Sequence, residues 1–188
     1  MQALLHLSRW IDAVNRFVGV ATGWLVLVVV LISAGNAVMR YSINWSSNAW
    51  LEIQWYLFSA VFLLCAAYTL MRNEHIRIDI VAGRFTRRTQ AWIDIFGILL
   101  FLFPMTILLA WLSWPMFLDS YLRHEYSSDA GGLLRWPVKL LVPVGFVLLT
   151  AQGISELIKR VAFLQGLIPD PVSGKDDAPA ELLVAEQK

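Results

Sequence analysis

The stretch WLEIQWYLFSAVFLLCAAYTLMRNEHIRID, residues 50–79, decides how the whole chain is read. Its first 22 residues, Trp50 to Met71, contain one carboxylate, Glu52, and no basic side chain. At a rise of about 1.5 Å per residue they are long enough to cross a hydrocarbon core of about 30 Å. From Arg72 the chain turns polar, with Arg72, Glu74, His75, Arg77 and Asp79 within eight residues. An apolar helix that ends in such a cluster is a span leaving the bilayer, and its arginines help to orient it.

Outward from this stretch the same pattern recurs. Phe17–Val38, Ala91–Trp114 and Trp136–Ile158 are equally apolar, and the 188 residues are 58% hydrophobic and only 15% charged. Soluble domains carry charge on about a quarter of their residues, so most of this chain must face lipid or other helices. The expected fold is an all-α integral membrane protein with four transmembrane helices, at about 17–38, 50–71, 91–114 and 136–158, and short interfacial amphipathic helices. Residues 1–16 interleave Arg9 and Arg16 with Leu4, Leu5, Leu7, Trp10, Ile11 and Val14. They form either an amphipathic segment lying at the interface or an ordinary positive flank. Residues 76–89 read as a second surface helix. The four-helix membrane domain covers 17–164, and 165–188, polar and proline-containing, are expected to be a disordered cytoplasmic tail.

Phe17–Val38 is longer than the apolar core of a secretory leader, so it is read as a retained anchor despite the small residues Ala34 to Ala37. Gly19 and Gly23 fall with Val26, Val30, Ser33 and Ala37 on one helical face, a candidate helix-packing face for this bundle or for another chain. Ser46, Ser47 or Asn48 can cap the second helix. Pro104 should kink the third span and Pro143 bend the fourth.

The charged residues near the spans have two readings each. A carboxylate within a span is a functional candidate by default. Glu52, however, stands in the first turn, and the cheaper expectation is a structural pair with Arg40 across the short connection. Asp94 is expected to pair with the arginine-rich hairpin, and Glu156, beside Lys159 and Arg160, to form a surface pair. His75 lacks a second ligand and reads as an interfacial hydrogen-bonding group. Cys65 is the sole cysteine, which excludes an internal disulfide and thiolate metal sites. His6, His75 and His124 lie at or beyond span ends, so no pair of axial ligands for a haem exists within the spans. No phosphate-binding loop or nucleophile–base set is present, so neither an enzyme nor a cofactor is expected. The net charge of +1 carries no nucleic-acid signal.

Basic residues set the orientation. With the amino terminus inside, Arg9, Arg16, Arg72, Arg77, Arg84, Arg87, Arg88, Lys159, Arg160, Lys175 and Lys188 are cytoplasmic, against Arg40, Arg123, Arg135 and Lys139 outside. That asymmetry favours both termini in the cytoplasm. Trp45, Trp50, Trp55, Trp111, Trp114 and Trp136 then form an outer aromatic belt.

Glu52 early in a helix, Tyr68 and Arg72 at its end, and then Glu74-His75-Ile76-Arg77-Ile78-Asp79 resemble the small membrane subunit of tripartite ATP-independent periplasmic (TRAP) transporters, the DctQ-type permease component. A second block is similar to the start of that family's last helix. It runs from Ser127-Ser128-Asp129-Ala130-Gly131-Gly132-Leu133 into Trp136-Pro137-Val138-Lys139 and Pro143-Val144-Gly145-Phe146. The resemblance spans Arg9 to Leu164. It implies a bacterial inner-membrane protein that scaffolds a large TRAP membrane subunit, which carries the substrate and ion sites, and helps dock a periplasmic substrate-binding protein. The cargo it implies is organic acids, and the SSNAWLEIQWYLF and SSDAGG blocks look like the branch for 2-oxo acids and lactate. Arg40, Glu52, Arg72, Glu74, His75, Arg77, Asp79 and Asp94 then form the family motif and structural polar network. Asp119, Arg123, Glu125, Asp129 and Arg135 are the candidate periplasmic docking surface. No substrate-binding residue is expected in this chain, and membrane lipid is its solvent. The competing expectation is a self-contained four-helix exporter, acting as a homo-oligomer, with Glu52 as its proton-coupled carboxylate.

Overall fold

The computed structural model describes residues 1–44, 47–73 and 85–169. Glu74, His75, Arg77 and Asp79, most of the surface helix expected at 76–89, and the tail beyond Pro169 lie outside the described residues. Helix α1 runs Gln2–Ile43, α2 Asn48–Arg72, α3 Arg87–Gly97, α4 Phe103–Leu122 and α5 Trp136–Leu164. A π-helical turn, Ile98–Leu102, joins α3 to α4, so that Arg87–Leu122 is one continuous rod. Four helices are thus long and apolar enough to cross a membrane. No strand occurs among the described residues.

Burial is inverted relative to a water-soluble bundle. The largest side chains withdrawn from the surface are Gln152, Asn15, Thr106, Ser8, Ser120 and Ser155, beside the small Ala67, Ala91 and Ala162, while Phe17, Trp24, Trp55, Phe62, Phe101 and Trp111 are exposed. Such a surface is stable only in lipid, where apolar side chains gain nothing by going inside. Helix α5 is the central element and packs against α1, α2, α3 and α4; α1 and α2 also pack on each other. Small residues set these approaches. A Cβ at Gly145 would stand 2.9 Å from the Leu63 carbonyl oxygen, and one at Gly153 would lie 2.7 Å from Leu102 and 2.8 Å from Phe103.

Three local features differ from the expectations. First, no break separates residues 1–16 from the first span: α1 is one helix of 42 residues, about 63 Å long and roughly twice the hydrocarbon thickness. The expected interfacial segment is its first turns. Second, the rod around Pro104 is accommodated by the π turn, in which the Phe103 N–H donates to the Ile98 carbonyl five residues back. A wider turn suits a ring that supplies no N–H and crowds the preceding carbonyl. Third, Gly19 and Gly23 do not share a buried face. A Cβ on Gly19 would overlap the Tyr68 ring, whereas nothing lies within 4 Å of one on Gly23. Successive i,i+4 steps turn a helix by about 400°, so such a row drifts away from a neighbour. The buried positions of α1 step instead through Ser8, Ile11, Asn15, Gly19 and Thr22, which is a heptad seam.

Candidate functional site

Charged side chains stand at the two ends of the bundle. Residues 17–39, 53–71, 95–118 and 140–155 contain no Asp, Glu, Lys, Arg or His. The ionisable chemistry therefore sits at opposite ends, in one group around Glu52 and one around Gln152, named outer and inner after the orientation expected from the basic residues.

At the outer end, Ser47 caps α2 by accepting from the Ala49 N–H at 3.3 Å. Glu52, beyond that first turn, serves another segment, the connection between α4 and α5. Its Oε1 accepts from the Ser127 hydroxyl, and its Oε2 accepts from the Leu133 N–H at 2.6 Å. This differs from the expected pair with Arg40: among the described residues no ion pair joins the two, and the Arg40 guanidinium lies 5.1 Å over the neighbouring Tyr41 ring. Arg40 is one turn from the α1 end and exposed, where water solvates it more cheaply than a carboxylate already holding two donors.

The loop so fastened is tightly folded. Ser127 N–H donates to the Leu133 carbonyl at 2.9 Å, Arg135 N–H to Glu125 at 2.8 Å and Gly132 N–H to Asp129 at 3.0 Å. Asn48 adds a bond from its side-chain amide to the Ala130 carbonyl at 3.2 Å. Gly131 takes φ +74°, a conformation glycine reaches without strain, and a Cβ on Gly132 would meet the Ser127 side chain and stand 2.9 Å from Glu52 Oε1. The Lys139 ammonium donates to the Glu125 carboxylate. That bond, with Arg135 nearby, holds the Glu125 carboxyl below its ordinary range. Arg135 reaches the Ser128 hydroxyl at 3.4 Å. Asp119 and Arg123 pair with each other at 2.7 Å on the open surface, with side chains 59% and 77% exposed. Asp129 is exposed too. Of the five residues expected to form a docking surface, Asp119, Arg123 and Asp129 thus present outward, while Glu125 and Arg135 are turned partly into the loop's own hydrogen bonding.

At the inner end, a buried network ties α1 to α5. Gln152 donates through Nε2 to Asp12 Oδ1 at 2.8 Å and to Glu156 Oε1 at 3.2 Å. Both amide protons face carboxylates, so its Oε1 accepts, and it does so from Asn15 Nδ2 at 2.7 Å. Ser155 donates to Asp12 at 2.7 Å and shares a 2.7 Å contact with the Ser8 hydroxyl. Lys159 bridges Asp12 at 3.2 Å and Glu156 at 2.5 Å. Glu156 is therefore a buried member of a network rather than half of the surface pair expected for it, because α1 covers the face of α5 that carries it. Arg160, 5% exposed, reaches Asp94 at 3.0 Å. Asp94 thus takes a partner from α5, which the expectation of hairpin arginines did not include. Arg72, exposed at the end of α2, completes the inner rim.

Ser8, Asp12, Asn15 and Ser155 were not singled out in the sequence. For the three on α1 the signal was present as polar side chains at heptad spacing, 8, 12 and 15, distinct from the face that carries Arg9 and Arg16.

Neither group has the geometry of a catalytic centre, and no cluster of three or more His, Cys, Asp and Glu side chains able to hold a metal occurs among the described residues. The family model of tripartite ATP-independent periplasmic transporters, DctQ component, matches residues 28–163. The chain belongs to the DctQ family. It is a transmembrane component of a TRAP transporter, the small permease subunit. No curated protein and no solved structure matched it. The matched region of this DctQ component contains the Glu52–loop junction and most of α5. It also holds the charge-free interiors of the second, third and fourth spans.

Proposed function

We propose that this DctQ component braces the large membrane subunit of an importer of organic acids and offers its outer loop to the periplasmic binding protein. The observation that supports this reading most is the emptiness of the bundle's middle. Coupling an ion or proton to solute movement requires ionisable or polar groups at mid-membrane. Here 17–39, 53–71, 95–118 and 140–155 have no charged side chain, and the interior is closed by contacts such as Gly19 with Tyr68 and Gly145 with Leu63. A chain with packed helices but no solute path is one wall of a larger assembly.

The chain sits in the bacterial inner membrane with both termini cytoplasmic, following the excess of basic residues at the Arg9, Arg16, Arg72, Arg87, Arg88, Lys159 and Arg160 end. Glu52, Ser127 and Arg135 are then periplasmic. Their loop is stiff and of mixed sign, which suits a transient, salt-sensitive encounter with a soluble protein. Energy for transport comes from an ion gradient used by the large subunit.

The test is reconstitution in liposomes of the chain alone, the chain with its large subunit, and both with the binding protein. Organic-acid uptake is expected only from the three-component system. Uptake or export by the small chain alone would overturn the reading and establish a self-sufficient transporter.

A further inference from the structure

We propose that Glu52 is the positioning residue of the outer loop: without touching the binding protein, it imposes the loop shape that the binding protein recognises. This rests on the reading that the loop is a docking surface, and it adds what gives that surface its form.

The inference starts from where the two carboxylate oxygens go. Glu52 is the fifth residue of α2, beyond the first turn that Ser47 caps, and a glutamate on a helix surface there ordinarily turns to water. Here Ser47 already serves Ala49, and Glu52 spends Oε1 on Ser127 and Oε2 on Leu133, residues 75 and 81 positions away. The two donors lie at the two ends of the 127–133 turn, and their own backbones are joined by the Ser127 N–H to Leu133 carbonyl bond at 2.9 Å. One carboxylate therefore closes the base of the turn. The groups left facing outward, Ser128, Asp129, Ala130 and Gly131, are all exposed. The exposed crest of the turn, Asp129 included, hangs from a base fastened to α2.

The site has no tolerance on the loop side. Gly132 passes so close that a Cβ would meet Ser127 and stand 2.9 Å from Glu52 Oε1. A methyl group there wedges the turn off the carboxylate and breaks the same fastening without changing any charge. Replacing Glu52 by glutamine does the opposite. The amide oxygen still accepts from the Leu133 N–H, and the amide nitrogen donates to the Ser127 oxygen, which can accept as readily as donate. Shape is kept although charge is lost.

The experiment measures uptake by the assembled complex in liposomes against the concentration of the binding protein that supports it. Complex yield is quantified in each preparation. Glu52→Ala and Gly132→Ala are expected to raise the half-saturating binding-protein concentration about ten-fold, because a loosened loop must be ordered at each encounter. Glu52→Gln should stay within roughly two-fold of the unaltered protein, and maximal rate per complex should hold in all three. Should Glu52→Ala not assemble, Gly132→Ala supplies the same comparison. A fall in maximal rate or yield with unchanged half-saturation would overturn the proposal, since Glu52 would then merely stabilise the fold. A surface control separates the two levels of inference. If Arg123→Glu with Asp129→Lys leaves half-saturation unmoved, the docking reading itself fails. If that pair shifts it and Glu52→Ala does not, only the positioning role fails.

Discussion

Removing the Gln152 side chain tests the inner network most directly. Gln152 is fully buried and makes hydrogen bonds with Asp12, Glu156 and Asn15. The bonds to Asp12 and Asn15 cross from α5 to α1, while that to Glu156 lies within α5; interhelical hydrogen bonds within membranes average about 0.6 kcal/mol and reach about 1.7, so the two amount to roughly 1–3 kcal/mol. Asp12 retains Ser155 and Lys159, and Glu156 retains Lys159, so neither carboxylate is stranded. Asn15 is stranded: its Oδ1 already lacks a partner, and Gln152→Ala takes the acceptor from its Nδ2. A buried amide left unsatisfied costs about 1–3 kcal/mol more. Gln152→Ala should therefore destabilise the chain by roughly 2–6 kcal/mol. Asn15→Ala alone loses one bond and exchanges the orphan Asn15 carbonyl for a stranded Gln152 Oε1, so its cost is about 1–2 kcal/mol. In the double variant the stranded amide no longer exists, and its cost should fall short of the sum of the singles by roughly 1–2 kcal/mol. The measurement is equilibrium unfolding in mixed micelles followed by tryptophan fluorescence. Single effects that add within about 0.5 kcal/mol would show that Asn15 and Gln152 are not coupled and refute the reasoning.

Three further outcomes follow from the geometry. Glu125, with its native carboxyl value depressed mainly by Lys139, contributes stability that is present above the unfolded value of about 4.3 and lost as pH falls through the lower native value. Protease protection of residues 123–135 should thus be flat from neutral pH to about 5 and decline below it, and Lys139→Met should flatten that decline. Gly19→Leu should cost about 1–3 kcal/mol by forcing Tyr68 out of its rotamer, with partial recovery in Tyr68→Ala, whereas Gly23→Ala should stay within about 0.5 kcal/mol, all read by the same unfolding assay. In a Cys65→Ser background, cysteine at position 128 should be labelled by an impermeant maleimide from the periplasmic side and cysteine at 173 only from the cytoplasmic side. The reverse pattern would overturn the orientation.

Membrane solvation explains which parts of this structure were legible in the chain. Hydropathy reports contact with lipid, and it marks Trp50–Met71 as a span whatever the neighbours do. It does not report where a helix ends once the flanking residues are amphipathic, so α1 continues from Gln2 through Arg9 and Arg16 and out to Ile43, beyond both ends of the span expected at 17–38 after an interfacial segment or a positive flank. Polar residues are harder still, because a span hides its polar atoms against other helices, and the partner is set by tertiary register. Glu52 and Arg40 are neighbours in sequence across a short turn, and proximity made them a pair. The competing donors, Ser127 and Leu133, lie in a connection whose path back over α2 cannot be inferred from periodicity. The same limit hid the role of Glu156, since nothing in Gln152-Gly-Ile-Ser-Glu156 shows that α1 covers it. The heptad run Ser8, Ile11, Asn15, Gly19, Thr22 was the one readable clue. Small or polar residues at that spacing in a lipid-facing helix mark the seam, and their complements are the polar Gln152 and Ser155 of α5 and the aromatic ring of Tyr68. What the DctQ component keeps from lipid is thus largely its polar atoms, and this is why its charged networks, the loop on Glu52 and the group on Gln152, lie at the two rims of a bundle whose middle is held by close packing and by uncharged bonds such as that between Thr150 and Thr106.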